Sequence, residues 1–280
     1  MEKEAKIISF INMKGGVGKT TLCTNLAYVL CKEKNKKILL IDIDPQTNTS
    51  QYLLNYEEYR NKYENNQTIF SLYADFVNSQ IDFKTVIDDE ESTEVEEEIN
   101  IKKLITEHIS GLDIILGDIR MSSLPNASAP EIGNILNGFI KNSELINKYD
   151  YIFIDCPPTH SIYTSSALMA SNYYLIPVKA DFFSKIGISI VKNLIARHNK
   201  VNKYNKVKLL GIVFTMLDKT EAEMYNIIMN EHITDVFKEY IKFSKNVPRY
   251  ICEKKFLTSS KQQSGKLKKI AEEFEKRIEN

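Results

Sequence analysis

The chain has 280 residues, enough for one large α/β domain or two small ones and for burying about three quarters of the unfolded surface. Lysine plus arginine and aspartate plus glutamate both number 37, so bulk charge nominates neither a polyanionic nor a polycationic partner. No signal peptide and no apolar run long enough to span a bilayer is visible, which excludes an integral helical membrane protein and predicts a soluble, cytoplasmic one.

An apolar strand, Ile7–Ile11, leads into Lys14-Gly15-Gly16-Val17-Gly18-Lys19-Thr20-Thr21, and a helix is predicted over Thr20–Lys32. A strand, a glycine loop and a helix N-terminus together make an anion site, because converging backbone N–H groups and the helix dipole favour phosphate. Lys19 supplies a point charge for the β/γ-phosphates and the Thr20 hydroxyl can ligate Mg²⁺. Met13 stands where G-x-x-x-x-G-K-[ST] has its first glycine, and a second lysine, Lys14, opens the loop. A glycine turn that merely joins strand to helix is the plain alternative; three glycines, two lysines and a threonine pair at this spacing favour nucleotide. Cys23 and Cys31 fall on the following helix at a spacing suited to one buried face. With Cys156 and Cys252 they lack C-x-x-C or His-paired spacing, so all four are expected to be small core residues in a reducing cytosol.

The next strand, Ile38–Ile43, ends in Asp42-Ile43-Asp44-Pro45-Gln46. Strand geometry puts Asp42 and Asp44 on one side at the carboxyl end. Asp44, at the start of a loop, is the candidate for orienting an attacking water and is counted with Thr20 and Asp155 around the metal; Asp42 supports either the metal's water shell or the loop. Residues 53–103 are polar, tyrosine-rich and acidic, and read as an irregular or helical excursion whose Asp88–Glu98 run is a solvated loop or flap. A strand at Leu112–Leu116 and a helix over Pro130–Asn147 come next. The strand Tyr151–Ile154 then ends in Asp155-Cys156-Pro157-Pro158, the Walker B pattern, in which Asp155 holds Mg²⁺ through water. Beyond it lie a strand Tyr173–Val178, a helix Phe183–Lys203, a strand Val207–Thr215 and a helix Glu221–Tyr240. The run Thr215-Met216-Leu217-Asp218 suits either a purine site or an ordinary acidic turn. The stretch Lys242–Lys269 is strongly basic, either a nucleic-acid face or a solvated helix surface. In the tail, Lys266–Ile278 puts Leu267, Ile270, Ala271, Phe274 and Ile278 on one helical face, expected to pack on the body rather than on lipid, since glutamates share its polar face.

Strands apolar throughout, alternating with helices, predict α/β architecture: a mostly parallel sheet flanked by helices on both faces, with sites at the strands' carboxyl ends. Residues 1–280 are expected to form a single domain, with 53–103 as its variable part and 242–280 as its basic carboxyl-terminal part.

Asn12–Thr21, Asp42–Gln46, Asp155–Pro158 and Thr215–Asp218 together resemble the ParA/Soj group of chromosome- and plasmid-partition ATPases. These belong to the deviant Walker A (SIMIBI) P-loop class that also contains MinD. The resemblance implies an ATP- and Mg²⁺-dependent ATPase in which Lys14 reaches across an ATP-sandwich homodimer to the partner's nucleotide, with Gly15 close to the opposing subunit. Lys14 through Thr21 would bind nucleotide, Lys14, Lys19 and Asp44 would act in catalysis, and Asp218 and Pro248 would lie at the adenine. It also implies non-specific binding of double-stranded DNA, here through Lys245, Arg249, Lys254 and Lys255. Release would follow hydrolysis stimulated by a ParB-like centromere-binding protein, with the ATPase on the nucleoid and no stable membrane association. No helix-turn-helix segment precedes the loop in this sequence, so a short ParA without an operator-binding domain is expected. A MinD-like membrane-associated positioning ATPase is the alternative. A bacterial tyrosine kinase would want a tyrosine cluster at the end of the chain, whereas Tyr250 is the last tyrosine. An iron–sulfur reductase would want cysteines near Gly111–Asn126.

Overall fold

The computed structural model describes residues 4–74, 101–124, 130–203, 205–218, 222–231 and 235–279. Its first half runs β1 (Lys6–Phe10), α1 (Lys19–Lys34), β2 (Ile38–Asp42), α2 (Asn48–Leu53), α3 (Tyr56–Glu64), α4 (Ile101–Leu104), β3 (Ile105–Ile109), β4 (Leu112–Ile115), α5 (Pro130–Asn142) and α6 (Leu145–Lys148). Then come β5 (Tyr151–Asp155), α7 (Ile162–Ala170), β6 (Tyr173–Lys179), α8 (Ser184–Val201), β7 (Lys208–Thr215), α9 (Ala222–Asn230), α10 (Val247–Cys252) and α11 (Lys261–Glu279). The strands form one seven-stranded sheet in the order β3-β4-β2-β5-β1-β6-β7, in which β3 alone is antiparallel to its neighbour.

Alternation along the strands explains why their apolar runs are unbroken. Ile8 and Phe10 of β1, Leu40 of β2 and Phe153 of β5 pack with Leu22, Leu26 and Leu30 of α1 and with Leu267, Ile270 and Phe274 of α11. Their chain neighbours Ile7, Leu39, Ile41, Ile152 and Ile154 share a second core with Ile132, Leu136 and Ile140 of α5 and Ala167 of α7. Ile188, Val191 and Ile195 of α8 cover Ile176 and Val178 of β6. Both sheet faces are therefore dry, as a parallel sheet requires. The register also levels the carboxyl ends that matter: Phe10 and Asp42 each pair with Asp155.

Several expectations need correction. No strand was expected between Ile43 and Leu112, yet β3 adds an antiparallel edge to β4 through a turn with Gly111 at φ 89°. The helix expected over Pro130–Asn147 breaks into α5 and α6. Ser143 Oγ donates to the Phe139 carbonyl at 2.5 Å, competing with the helical ladder, and Glu144 takes φ 57°. The helix expected over Glu221–Tyr240 is confined to α9. Val236 instead bridges Ile212, and Phe237 N donates to the Ile212 carbonyl at 2.8 Å, so residues 235–243 cover the open edge of β7. Cys23, Cys31 and Cys156 are buried, but Cys252 is exposed at the end of α10.

Part of the excursion at 53–103 is helical. Asn55 and Glu58 form a capping box that starts α3. Arg120 secures the segment after α3: it pairs with buried Asp118, donates to the Tyr63 carbonyl and lies over the Tyr63 and Phe70 rings. The Asp88–Glu98 run lies outside the described residues.

Candidate nucleotide-phosphate site

After β1 the chain turns into α1 through a loop in which Gly16 (φ 70°) and Gly18 (φ 75°) are left-handed, a conformation that costs glycine nothing. Gly18 caps α1 without a side-chain acceptor, which leaves the first-turn N–H groups for a ligand. A methyl group on Gly15 or Gly16 would meet no atom within 4 Å, so the loop is open there. Behind the loop, the Val17 carbonyl accepts from Thr215 Oγ1 at 2.6 Å, tying β7 to it.

Lys19 opens α1 and is 7% exposed, and among the described residues its ammonium makes only a long 3.5 Å contact with the Lys14 carbonyl. Burial lowers its pKa, opposed by the charges of Asp155 and Asp44. An ammonium so poorly partnered is suited to an anion. Thr20 Oγ1 and Thr49 Oγ1 donate to Asp155 Oδ2 at 2.6 and 2.7 Å, while Asp155 Oδ1 is buried without a partner among the described residues. Burial pushes the Asp155 carboxyl up to about 6 against those two hydroxyls and Lys19. This donor set fits Mg²⁺, with the Thr20 hydroxyl as a ligand and a shell water donating to Oδ1, because Mg²⁺ keeps waters and takes few protein oxygens. Among the described residues, no group of three or more His, Cys, Asp or Glu side chains is arranged to hold a metal ion.

Of the two acids at the end of β2, Asp42 is taken up by the loop that follows it. Its Oδ2 accepts from Ser50 N at 2.8 Å and Ser50 Oγ at 2.7 Å, and Ser50 Oγ accepts in turn from Gly117 N at 2.8 Å. A Cβ on Gly117 would lie 2.8 Å from Asp42 Cγ, so only glycine permits this approach. Burial, reinforced by Asp155, pushes Asp42 up to about 8. Asp42 is thus a structural strut between β2, α2 and the end of β4. Asp44 is 5% exposed, accepts from Gln46 N at 3.0 Å through Oδ1 and feels the Lys19 charge, which sets it on the phosphate-loop side.

Lys14 leaves the loop in another direction. Its N–H donates to Asn12 Oδ1 at 3.0 Å, and Asn12 Nδ2 donates to the Pro177 carbonyl at 2.7 Å. Its half-exposed ammonium pairs with Asp181, just before α8, 6.0 Å from the Phe183 ring centroid.

A profile for an AAA domain, AAA_31, matches residues 5–210. The chain belongs to this family, in its ParA/Soj group. The sporulation initiation inhibitor protein Soj of Bacillus subtilis is 29% identical over 88% of this chain and 85% of its own length. An uncharacterized protein of Methanocaldococcus jannaschii is 32% identical over 76% of this chain and 74% of its own. Among solved structures, a protein of Borrelia burgdorferi described as a plasmid partition protein and bound to AMPPNP superposes with a TM-score of 0.74 at 24% identity. That match covers 98% of this chain and 100% of the other.

For a ParA/Soj-type chain, the remaining candidates are more scattered. Asp218 is exposed just past β7, and Leu217 exchanges hydrogen bonds with Ile241 and Phe243 on the segment that leads to α10. Pro248 is exposed in the first turn of α10. Lys245 and Arg249 are exposed as well. Arg249 and Lys255 both pair with Glu253, however, and Lys254 donates to the Gln51 carbonyl at 2.5 Å. Three side chains at the site were missed from sequence: Thr49, Ser50 and Asp181. No spacing rule singles out one hydroxyl within Thr47–Ser50, and Asp181 meets Lys14 only through the fold.

Proposed function

We propose that this protein is a slow, Mg²⁺-dependent partition ATPase: a single cytoplasmic domain that pairs around two ATP molecules and coats nucleoid DNA without sequence preference. A ParB-like centromere-binding partner would stimulate hydrolysis and release it. The observation that carries this reading is the split between the two lysines of one loop. Lys19 is buried beside the acids, whereas Lys14 points outward to a half-exposed position from which a second subunit's triphosphate could be met. Membership of the ParA/Soj group supports the same assignment.

In the proposed cycle, N–H groups from Gly15 to Thr21 and the Lys19 ammonium hold the phosphates, Thr20 and Asp155 hold the metal site, and Asp218 and Pro248 flank the adenine. Mg²⁺ would neutralise charge on the β- and γ-oxygens. Asp44 orients the attacking water, and Lys14 of each subunit screens charge on the other's γ-phosphate. The membrane-cycling alternative loses its footing in α11, whose apolar residues Leu267, Ile270, Ala271 and Phe274 are buried against the sheet. No helix among the described residues is long and apolar enough to cross a membrane.

Size-exclusion chromatography with light scattering, with and without Mg²⁺ and ATP, tests the reading. The wild type should become a dimer with ATP and then bind arbitrary duplex DNA in a salt-sensitive manner. Lys14→Ala should bind nucleotide yet stay monomeric. A wild type that remains monomeric in saturating ATP overturns the proposal.

A further inference from the structure

No aspartate or glutamate occurs between Asp181 and Asp218, a span that contains the whole of α8 and β7. The basic residues of this span gather at one corner. Arg197 and Lys200 lie in the last turns of α8, Lys203 and Lys206 in the connection to the next strand, and Lys208 opens β7; all five are exposed. None of the five forms an ion pair among the described residues. Lysines nearer the start of α8 differ, since Lys185 pairs with Glu231 and Lys192 with Asp235.

Of the nine bases in the carboxyl-terminal run, the sequence's first choice for a nucleic-acid face, five share three acids, while Lys242, Lys245, Lys254 and Lys261 form no ion pair among the described residues. Lys266 and Lys269 share Glu239, Lys268 pairs with Glu33, and Arg249 and Lys255 share Glu253. An ammonium already paired with a carboxylate contributes little long-range potential, so the α8–β7 corner, where no cation is paired among the described residues, keeps its full charge as a second basic cluster. The corner's backbone is also held in place. Asn199 Nδ2 donates to the Val207 carbonyl and Asn199 Oδ1 accepts from Val207 N, both at 2.9 Å, while Asn205 Nδ2 donates to the Met169 carbonyl at 2.6 Å.

We propose that this corner, from Arg197 to Lys208, contacts the phosphates of duplex DNA. The inference rests on the DNA-binding reading above and adds to it a surface at the amino ends of β6 and β7, away from the nucleotide loop. Lysine-rich, with no base-reading side chain required, such a surface binds backbone and not sequence. Val201 is the one exposed large apolar residue here among those described, which leaves a bilayer almost nothing to take up.

The test uses full-length protein with Mg²⁺ and ATP, titrated against a labelled duplex of arbitrary sequence over a range of salt. Lys200→Gln/Lys203→Gln/Lys206→Gln should bind roughly 100-fold more weakly at about 0.1 M salt, with a log–log salt slope shallower by about 2 to 3. ATP-driven dimerisation should be unchanged. The smaller set Arg197→Gln/Lys208→Gln should lose about tenfold, which keeps the test decisive if the triple variant folds poorly. Wild-type affinity and slope in these variants, alongside normal wild-type binding, overturn this inference and leave the partition reading intact. So does a loss confined to phosphatidylserine vesicles, which would assign the corner to membrane. No DNA binding by the ATP-bound wild type sinks the DNA reading itself, and this inference with it.

Discussion

On the phosphate loop Lys19 is buried and Lys14 is 42% exposed, although the two are chemically identical. Their roles diverge because of what surrounds each one. Asp181→Asn isolates the pair that holds Lys14. That pair is partly exposed, so its loss should cost under about 1 kcal/mol. Burial raises the Asp181 carboxyl, but the Lys14 ammonium more than offsets this and leaves it below its usual value. A carboxyl depressed in the folded state stabilises above its unfolded value, near pH 4, and that contribution is lost as pH falls through the folded value. Melting curves of wild type and variant should therefore differ slightly at pH 7 and converge in acid. The variant should also dimerise at lower ATP, because Lys14 no longer needs release. An unchanged ATP requirement would mean the pair does not restrain Lys14.

At the scale of elements, α11 decides between a body helix and a lipid-facing one. Phe274 is fully buried, its ring centroid 5.2 Å from that of Tyr151 and 5.5 Å from that of Phe153. Phe274→Ala should destabilise the protein by about 3–5 kcal/mol in urea unfolding. A change below about 1 kcal/mol would show that the helix is not packed as described. Most strands and α1, α8 and α11 were legible because an apolar run or a 3.6-residue period marks burial directly. The half-buried edge strand β3 was not, since Ile105–Ile109 presents no fully buried face. Nor was the stretch 235–243, whose apolar residues fit a helical period but serve to cover the edge of β7.

For the whole molecule, nucleotide should act as a stabiliser, because the open loop exists only in the folded chain. With Mg²⁺ and ATP at about 100 times the dissociation constant, the gain should be about 2.7 kcal/mol, read as a rise in melting temperature. Chelating the metal should shrink that shift and Lys19→Ala should abolish it. A wild type that melts at the same temperature with and without ATP would exclude the loop as a nucleotide site. The charge map belongs to this scale too. Counting bases along the chain singles out Lys242–Lys269, but folding pairs five of those bases with acids, whereas the five at the α8–β7 corner form no ion pair among the described residues.

The loop Lys14–Thr21, the acid ends of two buried strands and the alternation of strand with helix were written in local order, since each depends on residues adjacent in the chain. Only the tertiary structure could engage Asp42 with Ser50, bring Thr49 to Asp155, pair Lys14 with Asp181 and gather at one corner five cations that form no ion pair among the described residues. These are contacts between distant segments. Their partners are chosen by sheet order and register, which no short-range pattern encodes.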